Sequence, residues 1–363
     1  AWSERFDVRY SVSFNSATSG LVAAMGAIGI KPGDEVIVPP FTMSATAIAP
    51  LAYGGIPVFV DIEPETFCLD LQAVRRSITP KTKAILVVNL FGHPARLGEL
   101  KDLAEERGIK LVEDNAQAPL GMEDSRYAGT VGHIGVFSLN YHKHIHTGEG
   151  GMCVTDDDEL AQRLQLIRNH GENVVEYLDI DDITNLVGFN YRMTELSAAV
   201  GIEQLKKIDQ HVTQREKLAQ RLSEGMEGLE GIMPPVVRPN CRHVYYVWAM
   251  RFNASLVGVT REEFSRALTA EGFPHSTGYV RPLYLLPVFQ NRVAFGPNGD
   301  PFDRTATRYE KGMCPVAERM YEEELVCFEP CMYEVDSERM DLLVRAVRKV
   351  YDHREELAHR ADV

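Results

Sequence analysis

The feature that most constrains this chain is the alternation, as far as Thr155, of short β-rich runs with helical stretches. The runs are Tyr10 to Asn15, Glu35 to Val38, Pro57 to Ile62, Ala84 to Leu90, Lys110 to Glu113, Gly135 to Leu139 and Met152 to Thr155. Strands that alternate with helices are joined by crossovers, so the pattern predicts an α/β fold with a mostly parallel sheet covered by helices on both faces. Ligands of such sheets bind outside the carboxyl ends of the strands.

One stretch competes with this reading, because Val36 to Val60 carries no charge and is long enough to cross a bilayer. It also holds Pro39, Pro40, Pro50 and Pro57 with Gly54 and Gly55, which break helices, so two buried strands around a short helix are expected. From Thr194 to about Glu227 the pattern turns helical, with Leu196, Ala199 and Val200 on one face followed by Leu205 and Ile208, and it predicts one long helix leaving the first domain. Beyond it, Val244 to Phe252 reads as a strand. Thr260 and Glu263 form a capping box for a helix ending near Gly272. Gly296 to Pro301 is a turn-rich loop, and a last helix carries Met340, Leu343, Val344 and Val347 on its buried face. The expected division is a large domain over 1–231, including the connecting helix, and a smaller α+β domain over 232–363.

Composition narrows the function. The length of 363 residues has room for two domains and an enzyme-sized core. A balance of 38 Lys+Arg against 52 Asp+Glu gives a net charge of -14, which repels nucleic acid and anionic membranes, so any bound phosphate must be small and held locally. The six cysteines are scattered without paired metal spacing, as expected of reduced thiols in a cytoplasmic protein, and Cys327 with Cys331 makes a poor zinc site. Ala1 to Arg9 has charges but no apolar run, so no secretory signal is expected there.

No GxGxxG, GxxxxGK[ST] or HExxH motif occurs. Lys143, by contrast, follows the apolar strand ending Phe137-Ser138-Leu139 and precedes Thr147-Gly148-Glu149-Gly150-Gly151. A lysine partly desolvated there has a lowered pKa, which suits Schiff-base chemistry, although a surface lysine on a loop would read the same way. Asp114 ends the run Leu111-Val112 and Gln117 follows it, so a carboxylate and an amide project from a strand's carboxyl end; a helix N-cap with a polar neighbour would also fit. Asn15 to Gly20 joins the first strand to a helix and offers free N–H groups to a phosphate, or forms a plain cap.

Taken together, the segments Asn15-Ser16-Ala17-Thr18, Pro40 to Thr46, Val112 to Gln117, Phe137-Ser138 through Lys143 to Gly151, Gly188 to Met193, and Cys314 to Glu318 resemble, in order along the chain, the DegT/StrS family of pyridoxal-phosphate (PLP) sugar aminotransferases. The resemblance implies the aspartate aminotransferase fold, type I. It also implies that Lys143 carries PLP as a Schiff base and moves the proton, that Asp114 pairs with the pyridine nitrogen, and that Gln117 bonds the ring oxygen. Ser138 and the backbone of Ala17 and Thr18 would hold the phosphate, which Asn190 would reach from the other subunit of a homodimer. Arg192 and Arg281 are candidates for a substrate diphosphate or the glutamate carboxylate.

This sequence departs from the family's pattern in places. Met43 stands where an aromatic ring usually stacks on PLP, and Ala17 replaces a common glycine. His133 replaces a frequent aspartate, and Val280-Arg281 stands where His or Tyr often precedes Pro-Leu; both leave the sugar undefined. The leading segment before the first strand is shorter than the family's. His142, His144 and His146 alternate, and with Lys143 explained by PLP no metal is expected. The function implied is transfer of an amino group from L-glutamate to a keto group of a nucleotide-linked deoxysugar. Amination of a keto-cyclitol from glutamine is the alternative within the family. A sugar 3-dehydratase would carry histidine in place of Lys143, and a non-catalytic regulator on this fold would usually have lost Lys143 or Asp114.

Overall fold

The computed structural model describes residues 1–171, 180, 182–296 and 298–358. The first strands are β1 (Tyr10–Phe14), β2 (Glu35–Val38), β3 (Ile56–Phe59), β4 (Thr82–Val88), β5 (Lys110–Asp114), β6 (Met122–Glu123), β7 (Arg126–Tyr127), β8 (Ile134–Ser138) and β9 (Gly151–Thr155). Seven of them form one sheet in the order β1-β9-β8-β5-β4-β2-β3. Every pairing from β3 to β8 is parallel, and only β9 runs against its neighbours. The central strands are apolar on both faces, with Ile85, Leu86, Val87, Leu111, Val112, Ile134 and Val136 all buried. Such strands need cover on both sides. The Ala17–Ala27 helix packs on β8 and β9, and the Leu97–Arg107 helix packs on β5.

The remaining strands are β10 (Ile232–Met233), β11 (Cys241–Arg242), β12 (Trp248–Phe252), β13 (Ser276–Thr277) and β14 (Leu325–Phe328). A second, antiparallel sheet has the order β10-β12-β14-β13, while β11 joins β6 and β7 in a small ribbon. The second sheet has its own apolar core, in which Trp248, Phe252, Phe264 and Phe328 meet Leu222 and Val347 from two helices. The class is the α/β fold expected of a type I PLP enzyme, with a mostly parallel mixed sheet.

Val36 to Val60 folds as β2, the Ala45–Leu51 helix and β3. All six cysteines are free thiols. Thr260 and Glu263 form the reciprocal capping box of the Arg261–Ala270 helix. Among the described residues no helix is long and apolar enough to cross a membrane. Pro297 of the turn-rich loop lies outside the described residues.

Two expectations are corrected. The long helix from Thr194 is two helices, Glu195–Leu205 and Ile208–Gly225, divided at Lys206 and Lys207. Ile208 and Val212 are buried in a cluster with Trp2 and Phe6, whereas the first helix buries no residue in this chain. The strand expected over Val244 to Phe252 begins only at Trp248. Tyr245 has φ 50°, and the N–H groups of Val244 and Val247 donate to Gly92 and Phe91 carbonyls, so this segment crosses a turn instead of joining a sheet.

Candidate active site

β1 opposes β9 and β9 opposes β8, so β1, β5 and β8 all end at the same edge of the sheet. The register sets Phe14 and Ser138 on either side of Gly151. The turn after β1, Asp114 at the end of β5 and Ser138 at the end of β8 therefore converge. In that turn the Ser16 hydroxyl accepts the Ser19 N–H at 3.1 Å and caps the Ala17–Ala27 helix. The first N–H groups of a helix lack intrahelical partners, and those of Ala17 and Thr18 bond nothing among the described residues. A Cβ on Gly151 would lie 2.5 Å from the Ser16 carbonyl and 2.6 Å from the Ala17 nitrogen. Only glycine lets the turn settle here, and the result is a backbone cradle for a small anion.

Neighbouring strand residues face opposite sides of a sheet, and Glu113 and Asp114 divide accordingly. Glu113 accepts N–H groups of Gly129 at 2.6 Å, Val131 at 2.8 Å and Gly132 at 2.6 Å, fastening the loop that leads into β8. Asp114 is buried; its Oδ2 accepts the Thr46 hydroxyl at 2.8 Å and its Oδ1 the Ala116 N–H at 3.2 Å. Burial raises its pKa, opposed by those two donors and by Lys143. Gln117 accepts the Phe91 N–H at 2.8 Å and donates to the Tyr279 hydroxyl at 3.0 Å, which leaves its second amide hydrogen free.

Lys143 lies in a tight loop where its N–H donates to Asn140 at 3.0 Å. The adjoining His144 is buried, and its Nε2 donates to the Val244 carbonyl at 2.8 Å. Burial lowers the Lys143 amine from its ordinary 10.5 to about 8, while Asp114, Cys331 and Glu329 pull it upward. The neutral amine that attack on an aldehyde requires is thus far more abundant near neutral pH than in an ordinary lysine, although the protonated form still predominates.

The other expected residues are placed as follows. The half-buried Ser138 hydroxyl accepts the Asn140 N–H at 3.3 Å. Met43 is 62 % exposed just ahead of the Ala45–Leu51 helix and is no part of the core. Asn190 is exposed and its side chain makes no hydrogen bond among the described residues, although the following Tyr191 carbonyl accepts the Asn15 N–H at 2.7 Å beside the cradle. Arg192 donates to Asn169 at 2.5 Å and Arg281 is exposed; neither is paired with a carboxylate among the described residues. His133 precedes β8 and its Nδ1 accepts the Leu111 N–H at 3.0 Å, at the opposite end of the sheet from Asp114. Next to Val280-Arg281, the aromatic ring beside Gln117 comes from Tyr279. Burial holds His144 near 3, so it is a neutral ring, and among the described residues no group of His, Cys, Asp or Glu could hold a metal ion.

Thr46, Tyr246 and Tyr279 border these groups and were not singled out from the sequence. Thr46 lay within a recognised segment; Tyr246 and Tyr279 carried no local signal.

A planar ring bearing a basic nitrogen, an aldehyde and a phosphate matches the carboxylate of Asp114, the amine of Lys143 and the cradle at once. The arrangement suits pyridoxal phosphate, and the fold is that of PLP-dependent aminotransferases. The chain belongs to the DegT/DnrJ/EryC1/StrS aminotransferase family, whose model it matches over residues 2–348. It is 34% identical over 290 residues to the GDP-perosamine synthase of Caulobacter vibrioides, covering 80% of this chain and 76% of that one. It is 34% identical over 364 residues to the L-glutamine:2-deoxy-scyllo-inosose aminotransferase of Streptomyces kanamyceticus, covering 97% and 84%. Its fold superimposes on S. venezuelae DesV with a TM-score of 0.83 at 31% identity, over 96% of this chain and 87% of DesV.

Proposed function

We propose that this aminotransferase moves the amino group of L-glutamate to the keto group of a nucleotide-linked deoxysugar, in amino-sugar synthesis for a surface polysaccharide or a glycosylated natural product in the cytoplasm. The observation that carries the chemistry is the half-buried Lys143 amine, lowered to about 8, facing the buried carboxylate of Asp114. PLP, when bound, supplies the carbonyl that takes up the amino group and the ring that stores the electrons left by the departing proton. Lys143 holds the cofactor covalently and, once released, carries that proton on its ε-amine. Asp114 keeps the ring nitrogen protonated by accepting its N–H. Gln117 donates its free amide hydrogen to the ring oxygen, Met43 covers the ring, and Ala17, Thr18 and Ser138 bind the phosphate. Arg192 and Arg281 meet the substrate's anionic groups. Residues 1–231 act as the cofactor-holding domain and 232–363 as the smaller one.

The similarity to GDP-perosamine synthase supports a sugar nucleotide as acceptor. A glutamine-dependent keto-cyclitol reaction is the second reading, favoured by equal identity to the inosose aminotransferase over a longer stretch. Incubating the enzyme with a panel of keto-sugar nucleotides and keto-cyclitols, each with glutamate or glutamine, separates the two by product mass. We expect amination of a sugar nucleotide with glutamate; products from the cyclitol alone would replace the first reading with the second.

The enzyme is further proposed to be a homodimer in which Asn190 of the partner subunit completes the phosphate site. The Glu195–Leu205 helix supports this, since Leu196 is 82 % exposed and Val200 and Ile202 are about half exposed. Such an apolar patch is a usual mark of an interface. Mixing Lys143→Ala and Asn190→Ala chains should give hybrids with one repaired site, and random pairing predicts roughly a quarter of wild-type activity. Hybrids that form but stay inactive would refute the shared site.

A further inference from the structure

We propose that Tyr246 is a positioning residue for Lys143, its ring face holding the ε-ammonium group whenever that lysine is not bonded to the cofactor; the role rests on reading Lys143 as the residue that carries PLP. The Lys143 Nζ lies 4.0 Å from the centre of the Tyr246 ring. Among the described residues this amine makes no hydrogen bond and no ion pair, and the Tyr246 ring is its one cation–π partner. A cation over a desolvated aromatic face is attracted by the ring quadrupole.

The contact is built in from both sides. His144, next to the lysine, donates to Val244, two residues before the tyrosine, at 2.8 Å. Val247, next to the tyrosine, donates to the Phe91 carbonyl at 3.2 Å, and the Phe91 N–H is itself held by Gln117. Gly92 has φ 100°, and a Cβ there would stand 2.8 Å from the Tyr245 nitrogen and 3.0 Å from the Tyr246 nitrogen. The tyrosine segment can cross this turn only because a glycine occupies it. Tyr246 is 6 % exposed, so its ring has little freedom to leave the lysine.

The other groups facing the amine leave this task to the ring. Asp114 on β5 and Glu329 just past β14 are the carboxylates, and Cys331 is a thiol that burial keeps protonated. His142 and His144, flanking the lysine, are pushed down by burial and are neutral rings. Burial also raises the Tyr246 phenol, so the ring acts through its neutral face. A carboxylate hydrogen-bonded to the amine would hold its proton and fix its position. An aromatic face attracts the charge without taking a hydrogen bond along a fixed lone pair, and so retains the ammonium near the site yet lets it swing toward the reacting carbon.

The test uses the full-length enzyme loaded with pyridoxamine phosphate, in which Lys143 is free. Wild type, Tyr246→Phe and Tyr246→Leu are treated with acetic anhydride across a pH series, and acetylation of the Lys143 peptide is followed by mass spectrometry against surface lysines. Tyr246→Phe should titrate with the wild type. Tyr246→Leu should titrate lower by about 0.5 to 1 pH unit, a roughly 3- to 10-fold larger fraction of free amine at a given pH below the midpoint. Tyr246→Met, closer in volume, takes its place if the leucine variant fails to fold. A midpoint that stays or rises without the ring overturns the proposal. Borohydride reduction of the PLP-loaded wild type is the control: a pyridoxyl group on another lysine would defeat the functional reading itself, whereas an adduct on Lys143 with an unmoved midpoint defeats only the role of Tyr246.

Discussion

Lys143→Ala should lose turnover by about 10⁴-fold or more, since a positioned proton carrier alone contributes about 10² to 10⁴ and the covalent attachment goes with it. The variant should still fold and still take up PLP, because the Ala17 and Thr18 N–H groups and the Asp114 carboxylate remain. Neither adjoining histidine can substitute for it: His144 is bonded to Val244 and held near 3 by burial, and His142 is also lowered. Steady-state rates together with cofactor absorbance check this, and multiple turnover within a hundredfold of wild type would contradict the assignment. A lysine lowered to about 8 in the fold binds protons less tightly than in the unfolded chain, where it titrates at its ordinary value. Its charge therefore costs stability in full below about 8, and the cost fades as pH rises toward the unfolded value. The cofactor-free alanine variant should accordingly melt slightly higher than wild type at neutral pH, with the difference vanishing in alkali. PLP attachment to the wild type should quicken as pH rises through 8, where the amine loses its proton.

What could be read from the sequence follows the range of the interactions. The seven strands of the main sheet were legible because β-branched runs are closed by glycine, proline and polar residues, and parallel strands buried on both faces leave few other readings. Lys143 and Asp114 stood out because charged residues at the ends of apolar runs fall at the ligand edge of such a sheet. Thr46 and Tyr279 act across 68 and 162 residues of chain, on Asp114 and Gln117, and nothing in their local sequence marks those contacts. The left-handed backbone at Tyr245 was hidden because valine and tyrosine favour strands, and the crossing over Gly92 overrides that preference. The break at Lys206-Lys207 was hidden because lysine is a good helix former; burial begins with the second helix, at Ile208, while Leu196 on the first is exposed. An exposed apolar helix looks the same in sequence as a buried one.

Asp114→Asn should separate cofactor binding from catalysis. Asparagine keeps the shape, and its carbonyl can accept the Ala116 N–H, while the Thr46 hydroxyl can reverse and accept from the new amide. The buried site is left without an unsatisfied charge, so the fold should survive. The amide's second hydrogen can donate to an unprotonated ring nitrogen, so PLP affinity should fall by no more than about tenfold, the loss of a charge-assisted bond partly offset by a neutral one. What asparagine cannot do is keep that nitrogen protonated, because it is not an anion. The ring then no longer withdraws the electrons left by the departing proton. Removing one partner of a buried charged pair costs about 3 to 5 kcal/mol, and if this falls on the transition state, turnover should drop by about 10² to 10⁴. Asp114 carries a raised pKa when cofactor-free because it is buried, and a protonated ring nitrogen should restore its charge. Cofactor loading of the wild type should then weaken further at low pH, where the carboxyl is protonated, and Asp114→Asn should lose that low-pH part while keeping the part set by Lys143. Titrating PLP into both proteins across pH, alongside turnover numbers, measures both effects. A turnover within threefold of wild type, or an unchanged pH dependence of binding, would show that the carboxylate does not set the protonation of the ring.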